Sequence, residues 1–257
     1  MAPQRESSPL HRWAPDLAES RPVAGWREVN SSGSARVAYC EAQDLYFKAF
    51  LPRSPFEHIK ALVRGSRATR ARQHNELLRQ HGFEAPQDLA WGRLSGGREY
   101  QFSTAVAGKG VHGWLTESLI ASDKDSRNQR HKLLRELGRF VGRLHHSGFI
   151  HGDLRPSNVL ADFSSEGFNF ALIDNERTRQ YAQAPGKLLL KNLMQLNMLT
   201  PDELSRCDRW RFFRAWASEM RELSETESRI LAQEAYRWAM RRLDAKGKLK
   251  RAEEEQA

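Results

Sequence analysis

From Trp26 to Phe50 the chain has the period of two expected of half-buried strands, and beyond residue 110 its apolar positions recur at helical spacing. Ser31-Ser32-Gly33-Ser34 reads as a turn. Ala35 to Cys40 and Leu45 to Phe50 read as a hairpin with Ala42-Gln43-Asp44 at its tip, ended by Pro52 and Pro55. A helix is predicted from Ser66 to His81, with Gly82 as its stop signal. Short strands follow around Leu89 to Trp91 and Tyr100 to Val106, and Ala107-Gly108-Lys109-Gly110 reads as a flexible joint.

Leu133, Leu137, Phe140, Val141 and Leu144 then share one helical face, closed by Gly148. Thr200-Pro201-Asp202-Glu203 and Ser224-Glu225-Thr226-Glu227 both match the capping box, so each predicts a helix start. Trp210, Phe213 and Trp216 are expected to face a core between those helices. Residues 1–24, rich in Pro, Ser and charge, are expected to be a disordered lead-in, and 245–257 a charged tail. There is no internal repeat. What remains is a strand-rich lobe, 25–107, and a mainly helical lobe, 108–244. The fold class is α+β, with a ligand site expected between the lobes.

No apolar run approaches the length that spans a bilayer, and the N-terminus lacks the apolar core of a secretory signal. The 2 cysteines, Cys40 and Cys207, are far apart, so neither a disulfide framework nor a cysteine metal site is expected. A cytoplasmic location follows as the default. The net charge of +9 favours anionic partners, and Arg64, Arg67, Arg70 and Arg72 cluster, as do Arg209, Arg211 and Arg214. No nucleic-acid motif accompanies the charge, so nucleic acid is not an expected partner.

The chemistry concentrates in Ile150-His151-Gly152-Asp153-Leu154-Arg155-Pro156-Ser157-Asn158-Val159-Leu160, followed by Ala171-Leu172-Ile173-Asp174. Phosphoryl transfer from ATP needs an oriented acceptor hydroxyl, held metal ions and positive charge on the phosphates. Asp153 suits the first as catalytic base. Asn158 is a neutral oxygen ligand, and Asp174, at the end of an apolar strand, a bridging one. Mg²⁺ prefers few carboxylates together with phosphate and water oxygens, so two protein ligands suffice. His151 braces the loop. Lys48, alternating with apolar neighbours in Leu45 to Phe50, is the candidate phosphate anchor for ATP, and Glu76, on the predicted helix, its carboxylate partner. A Gly-rich phosphate loop is poorly represented, with Gly33 alone among serines.

The segments His151 to Leu160, Ile173-Asp174-Asn175-Glu176-Arg177-Thr178, Lys191 to Asn197, Arg209 to Phe213 and Tyr46-Phe47-Lys48 resemble the bacterial lipopolysaccharide core sugar kinases, the Kdo/heptose kinase family of the protein-kinase-like superfamily. The resemblance covers roughly residues 26 to 243. It implies a two-lobed protein-kinase-like fold and ATP-dependent phosphorylation of a sugar hydroxyl of the lipopolysaccharide inner core. Such a substrate places the chain at the anionic inner-membrane surface, in peripheral contact from the cytoplasm. The chain departs from protein kinases after Asp174, where Asn175 and Glu176 stand in place of Phe and Gly, and no activation segment ending in Ala-Pro-Glu follows. Glu176 adds a carboxylate within reach of metal, substrate or Arg177. A kinase of another small acceptor and a nucleotide-binding pseudokinase are the competing readings.

Overall fold

The computed structural model describes residues 9–31, 33–51, 65–120 and 123–247. Ser32, Pro52, Pro55, Arg64, the first eight residues and the tail from 248 lie outside the described residues. The chain forms two compact units, Met1–Val106 and Ala107–Ala257.

The first unit is built on an antiparallel five-stranded sheet. Its strands are β1 (Trp26–Val29), β2 (Ala35–Cys40), β3 (Leu45–Phe50), β4 (Asp88–Arg93) and β5 (Glu99–Thr104), in the order β1-β2-β3-β5-β4. The β2–β3 hairpin runs in register from Ala35↔Phe50 to Cys40↔Leu45. It turns through Glu41–Gln43 and Asp44, the last in the left-handed region at φ 53°. Side chains alternate across β3. Phe47 and Ala49 join Ala38, Ala90, Tyr100 and Phe102 in one apolar cluster, while Phe50 packs with Ala68 and Ala71 of the helix α2 (Arg67–Gln80).

The expectation of a disordered lead-in fails for residues 9–24. Pro9–Trp13 forms a 3₁₀ turn that runs into a helix α1 (Ala14–Ala18). Ala14, Leu17 and Ala18 are buried against Phe47 and Phe102, with Leu10 and Trp13 packed beside them. Composition hid this, because the Pro and charged residues lie on the outer side of a short stripe of apolar positions. Residues 107–110 are not a free joint either. Lys109–Gly110 is a strand, β6, paired to Ala161 and Leu160.

In the second unit the 23-residue helix α3 (Lys124–His146) is capped by Asp123, whose carboxylate accepts from Asp125 N and Ser126 N. It packs against α5 (Arg206–Ala217), and α4 (Gly186–Leu196) packs against α6 (Glu225–Asp244). Gly138 and Gly142 are what let α3 and α5 approach so closely. A Cβ on Gly138 would lie 2.4 Å from Phe212 O, and one on Gly142 2.8 Å from Trp216 O. At the end of this interface Trp216 Nε1 donates to Nδ1 of the fully buried His145 at 3.0 Å.

The capping boxes part company. Ser224–Glu227 opens α6 with both reciprocal bonds formed. Thr200 and Glu203 make the same two bonds, at 2.6 and 3.4 Å, yet close only a turn; α5 starts at Arg206 behind the cap Ser205. The buried Arg209 guanidinium donates to the carbonyls of Leu199, Thr200 and Leu204, while Leu204 N returns to Thr200 O at 3.0 Å, and the segment stops after that one turn. Trp210 is 55% exposed, against expectation, whereas Phe213 and Trp216 are buried. The buried stripe is 209-212-213-216, and Trp210 is turned about 100° from Arg209. Arg67 also turns inward, donating to Ser34 O and Leu51 O. The two arginine clusters therefore spend part of their charge on the fold.

Burial holds the pKa of His145 down at about 4. A histidine kept neutral in the fold but titrating near 6.5 when unfolded leaves stability complete above pH 6.5 and removes it as the pH falls towards 4. Denaturant unfolding followed by tryptophan fluorescence should show on the order of 2 kcal/mol less stability at pH 5 than at pH 7. His145→Gln should flatten that dependence.

Candidate active site

The motif region begins and ends on one short ribbon. β7 (Phe149–Ile150) pairs with β10 (Arg179–Gln180), joining Ile150 to Arg179. Between them runs the hairpin of β8 (Val159–Ser164) and β9 (Gly167–Leu172), in register from Val159↔Leu172 to Ser164↔Gly167. Just beyond its open end Ile173 N donates to Asn158 O at 3.1 Å. Asn158 and Asp174 are thereby brought to the same end of one hairpin.

His151 is fully buried among these segments. Its Nε2 lies 3.0 Å from Ile173 O, an acceptor only, so Nε2 carries the proton. Its Nδ1 then accepts from Asp153 N at 3.3 Å. Burial lowers its pKa, which keeps this single-proton form. Its backbone N–H goes to Asn192 Oδ1 at 3.1 Å, and Asn192 too is fully buried. Gly152, at φ 77°, is required by its surroundings, since a Cβ there would meet Arg177 O at 2.6 Å.

Asp153 and Arg155 form a bidentate pair, Nε to Oδ1 at 3.0 Å and Nη2 to Oδ2 at 2.6 Å. The bond to Asp153 raises the Arg155 pKa, and the Arg155 side chain is 57% exposed against 16% for Asp153. Asn158 Nδ2 donates to Asp153 O at 2.9 Å, so Asn158 turns its Oδ1 away from that carbonyl. Asp174 sits in the left-handed region at φ 63°, a conformation that non-glycine residues rarely hold and that recurs at functional sites. Among the described residues no group of three or more His, Cys, Asp or Glu is arranged for a metal. The donors on offer are an amide oxygen and a carboxylate. That set is too sparse for a fully protein-ligated zinc or calcium site, but suits Mg²⁺, which takes its other ligands from phosphate and water. Glu176 is buried, with Arg177 Nε 3.9 Å from its Oε1.

Lys48 and Glu76 lie in the first unit. Lys48 is half-buried on the β3 face that carries Phe50, its Nζ 5.2 Å from that ring. Glu76 is not its partner. Its carboxylate binds Arg79 and Gln80 of its own helix, at 3.4 and 3.0 Å, and is 58% exposed. The buried positions of α2 are Arg67, Ala68, Ala71, Asn75 and Leu78, and Glu76 is one residue and about 100° past the inward face. Asn75 occupies that face and donates to Asp88 Oδ2 at 2.9 Å. Sequence reasoning about single residues did not pick out Arg155 and Asn192. The cation two positions after Asp153 was a usable signal for Arg155; nothing local marks Asn192, which lies 41 positions from His151.

Residues 27–216 match the sequence model of the Lipopolysaccharide kinase (Kdo/WaaP) family. Among curated proteins, 81 residues are 33% identical to the phosphorylase b kinase gamma catalytic chain, liver/testis isoform, of Bos taurus, a stretch that is 29% of this chain. The chain spans only 19% of the length of that relative. Among solved structures, WaaP in complex with acyl carrier protein superposes with a TM-score of 0.56 at 17% identity, over 90% of this chain and 97% of that one. WbdD superposes at 0.51 and 20% identity, over 84% of this chain and 51% of its own. The aminoglycoside phosphotransferase APH(3'')-Id from Streptomyces rimosus does so at 0.50 and 15% identity, over 90% and 98%. These likenesses make the fold protein-kinase-like.

Gly152→Ala and Arg155→Ala should separate loop geometry from surface charge. Forcing a Cβ against Arg177 O at a left-handed position should cost about 1–3 kcal/mol in urea unfolding. Arg155→Ala, which removes a half-exposed ion pair, should cost under about 1 kcal/mol.

Proposed function

The chain belongs to the Lipopolysaccharide kinase (Kdo/WaaP) family, and on that premise we propose that it is an ATP-dependent phosphotransferase acting on a sugar hydroxyl, of Kdo or heptose, in the lipopolysaccharide inner core. The observation that carries this reading is the convergence of Asp153, Asn158 and Asp174 at the open end of one hairpin, through the Ile173 N to Asn158 O bond and the His151 ring.

Asp153 accepts the proton of the acceptor hydroxyl. Its carboxylate is largely shielded and held at both oxygens by Arg155, so its orientation is set before substrate arrives. Asn158 and Asp174 hold Mg²⁺, which when bound supplies neutralisation of phosphate charge. Lys48 anchors phosphates, and His151 keeps the two catalytic segments together. Among the described residues no helix is long and apolar enough to cross a membrane. The reading therefore has the chain meet its substrate by peripheral contact at the anionic inner-membrane surface, to which its net charge of +9 is suited.

The test is label transfer from γ-labelled ATP, with Mg²⁺, to lipopolysaccharide cores stripped of phosphate. The wild-type chain should label an inner-core sugar, and Asp153→Ala should lower the rate by about 10²–10⁴-fold. Label on a soluble sugar or antibiotic but on no core would overturn the acceptor assignment. Nucleotide binding without turnover on any acceptor would make the chain a binding module.

A further inference from the structure

Beneath the Asp153 loop runs a chain of buried polar side chains that the catalytic roles above leave unused. It begins at Trp216 on α5, passes through His145 at the end of α3, and reaches Asn192 and Gln195 on α4. Trp216, His145 and Asn192 are all fully buried, and Gln195 is half-buried beside Asp153.

Each member settles the orientation of the next. An indole N–H can only donate, so His145 Nδ1 accepts from Trp216 at 3.0 Å and its proton resides on Nε2. That proton goes to Asn192 Oδ1 at 3.3 Å, which also accepts from His151 N at 3.1 Å. Asn192 must then present Nδ2 to Gln195, and does so at Oε1, 3.2 Å away. Gln195 Oε1 also accepts from Leu154 N at 3.0 Å. Only its Nε2 is left to face the loop, and it donates to Gly152 O and to Asp153 Oδ1, both at 3.3 Å. A reversed amide would set a carbonyl oxygen against the carboxylate and an NH₂ against the Leu154 N–H.

We infer that Gln195 is a positioning residue for Asp153, its amide aimed at Oδ1 by the Trp216–His145–Asn192 chain, so that Oδ2 is the oxygen that receives the acceptor's proton. Oδ1 takes both Gln195 Nε2 and Arg155 Nε, whereas Oδ2 takes Arg155 Nη2 among the bonds just described. The inference rests on the reading of Asp153 as the base. A misplacement of the carboxylate by about 1 Å is enough to cost on the order of 10²-fold in rate.

The experiment compares Gln195→Glu and Gln195→Met in the full-length chain. The readout is ATP consumption with Mg²⁺, measured with inner-core lipopolysaccharide and, in parallel, with water as acceptor. Gln195→Glu retains the acceptor for Leu154 N and replaces the donor with an oxygen; Gln195→Met removes both at similar length. Expected are kcat losses of about 100-fold for Glu and about 10-fold for Met, with KM for ATP within about two-fold of wild type. In the Asp153→Asn background the same changes should produce no further loss. Unchanged kcat in both single variants overturns the inference. So does an effect confined to KM, or an equal loss in the Asp153→Asn background. Should the Glu variant not fold, the Met variant alone decides by the same criteria. If Asp153→Asn itself retains full turnover, the reading of Asp153 as base fails instead.

Discussion

A buried imidazole joins the two stretches of chain that carry the site. His151 has no exposed surface, and its two ring nitrogens bind backbone groups on opposite sides, Ile173 O and Asp153 N. Each bond requires the other, because one proton on the ring can satisfy a donor and an acceptor only in one arrangement. Leaving either backbone group unpaired in this interior would cost on the order of 1–3 kcal/mol. The positions of Asp153 and Asp174 are therefore not independent: a shift of one loop is resisted by the other through a rigid ring.

That ring is supported by helix packing some distance from the Asp153 loop. Gly138 and Gly142 let α3 and α5 close to backbone contact, and this places His145 and Trp216 side by side. Asn192 then spans from His145 to the His151 backbone. Apolar burial supplies most of the stability of this unit, through Leu133, Leu137, Leu144, Phe212 and Trp216. The polar groups decide orientation instead: in a low-dielectric interior each of them has one workable direction.

Charge is used in two ways. Arg67 and Arg209 are buried and spent on backbone carbonyls. Burial lowers the Arg209 pKa to about 10, still well above neutral pH, so the guanidinium remains a cation. What remains outside gives the chain its basic surface. Counting arginines in sequence therefore overstates the charge available at the surface.

Much of this was legible in the linear order of residues. The hairpin of β2 and β3, the helix α2, the long apolar face of α3 and the capping box of α6 follow from local periodicity and short-range side-chain chemistry, which act over a few residues and can be read as such. The grouping of Asp153, Asn158 and Asp174 was legible for the same reason, since a tight loop and one hairpin connect them. The choice of Glu76 was not, because a shift of one helical position separates an inward from an outward side chain, and only packing on the sheet selects the inward row. The Thr200–Glu203 box satisfied its local rule, yet its turn goes no further than the Leu204 N to Thr200 O bond, and α5 begins behind its own cap, Ser205. The lead-in, Asn192 and Gln195 depend on contacts made tens of residues away. Sequence alone determined the main elements and the order of the motif residues. Tertiary structure decided which faces turn inward and which side chains hold the motif in place, because burial is a property of the packed chain and not of any segment of it.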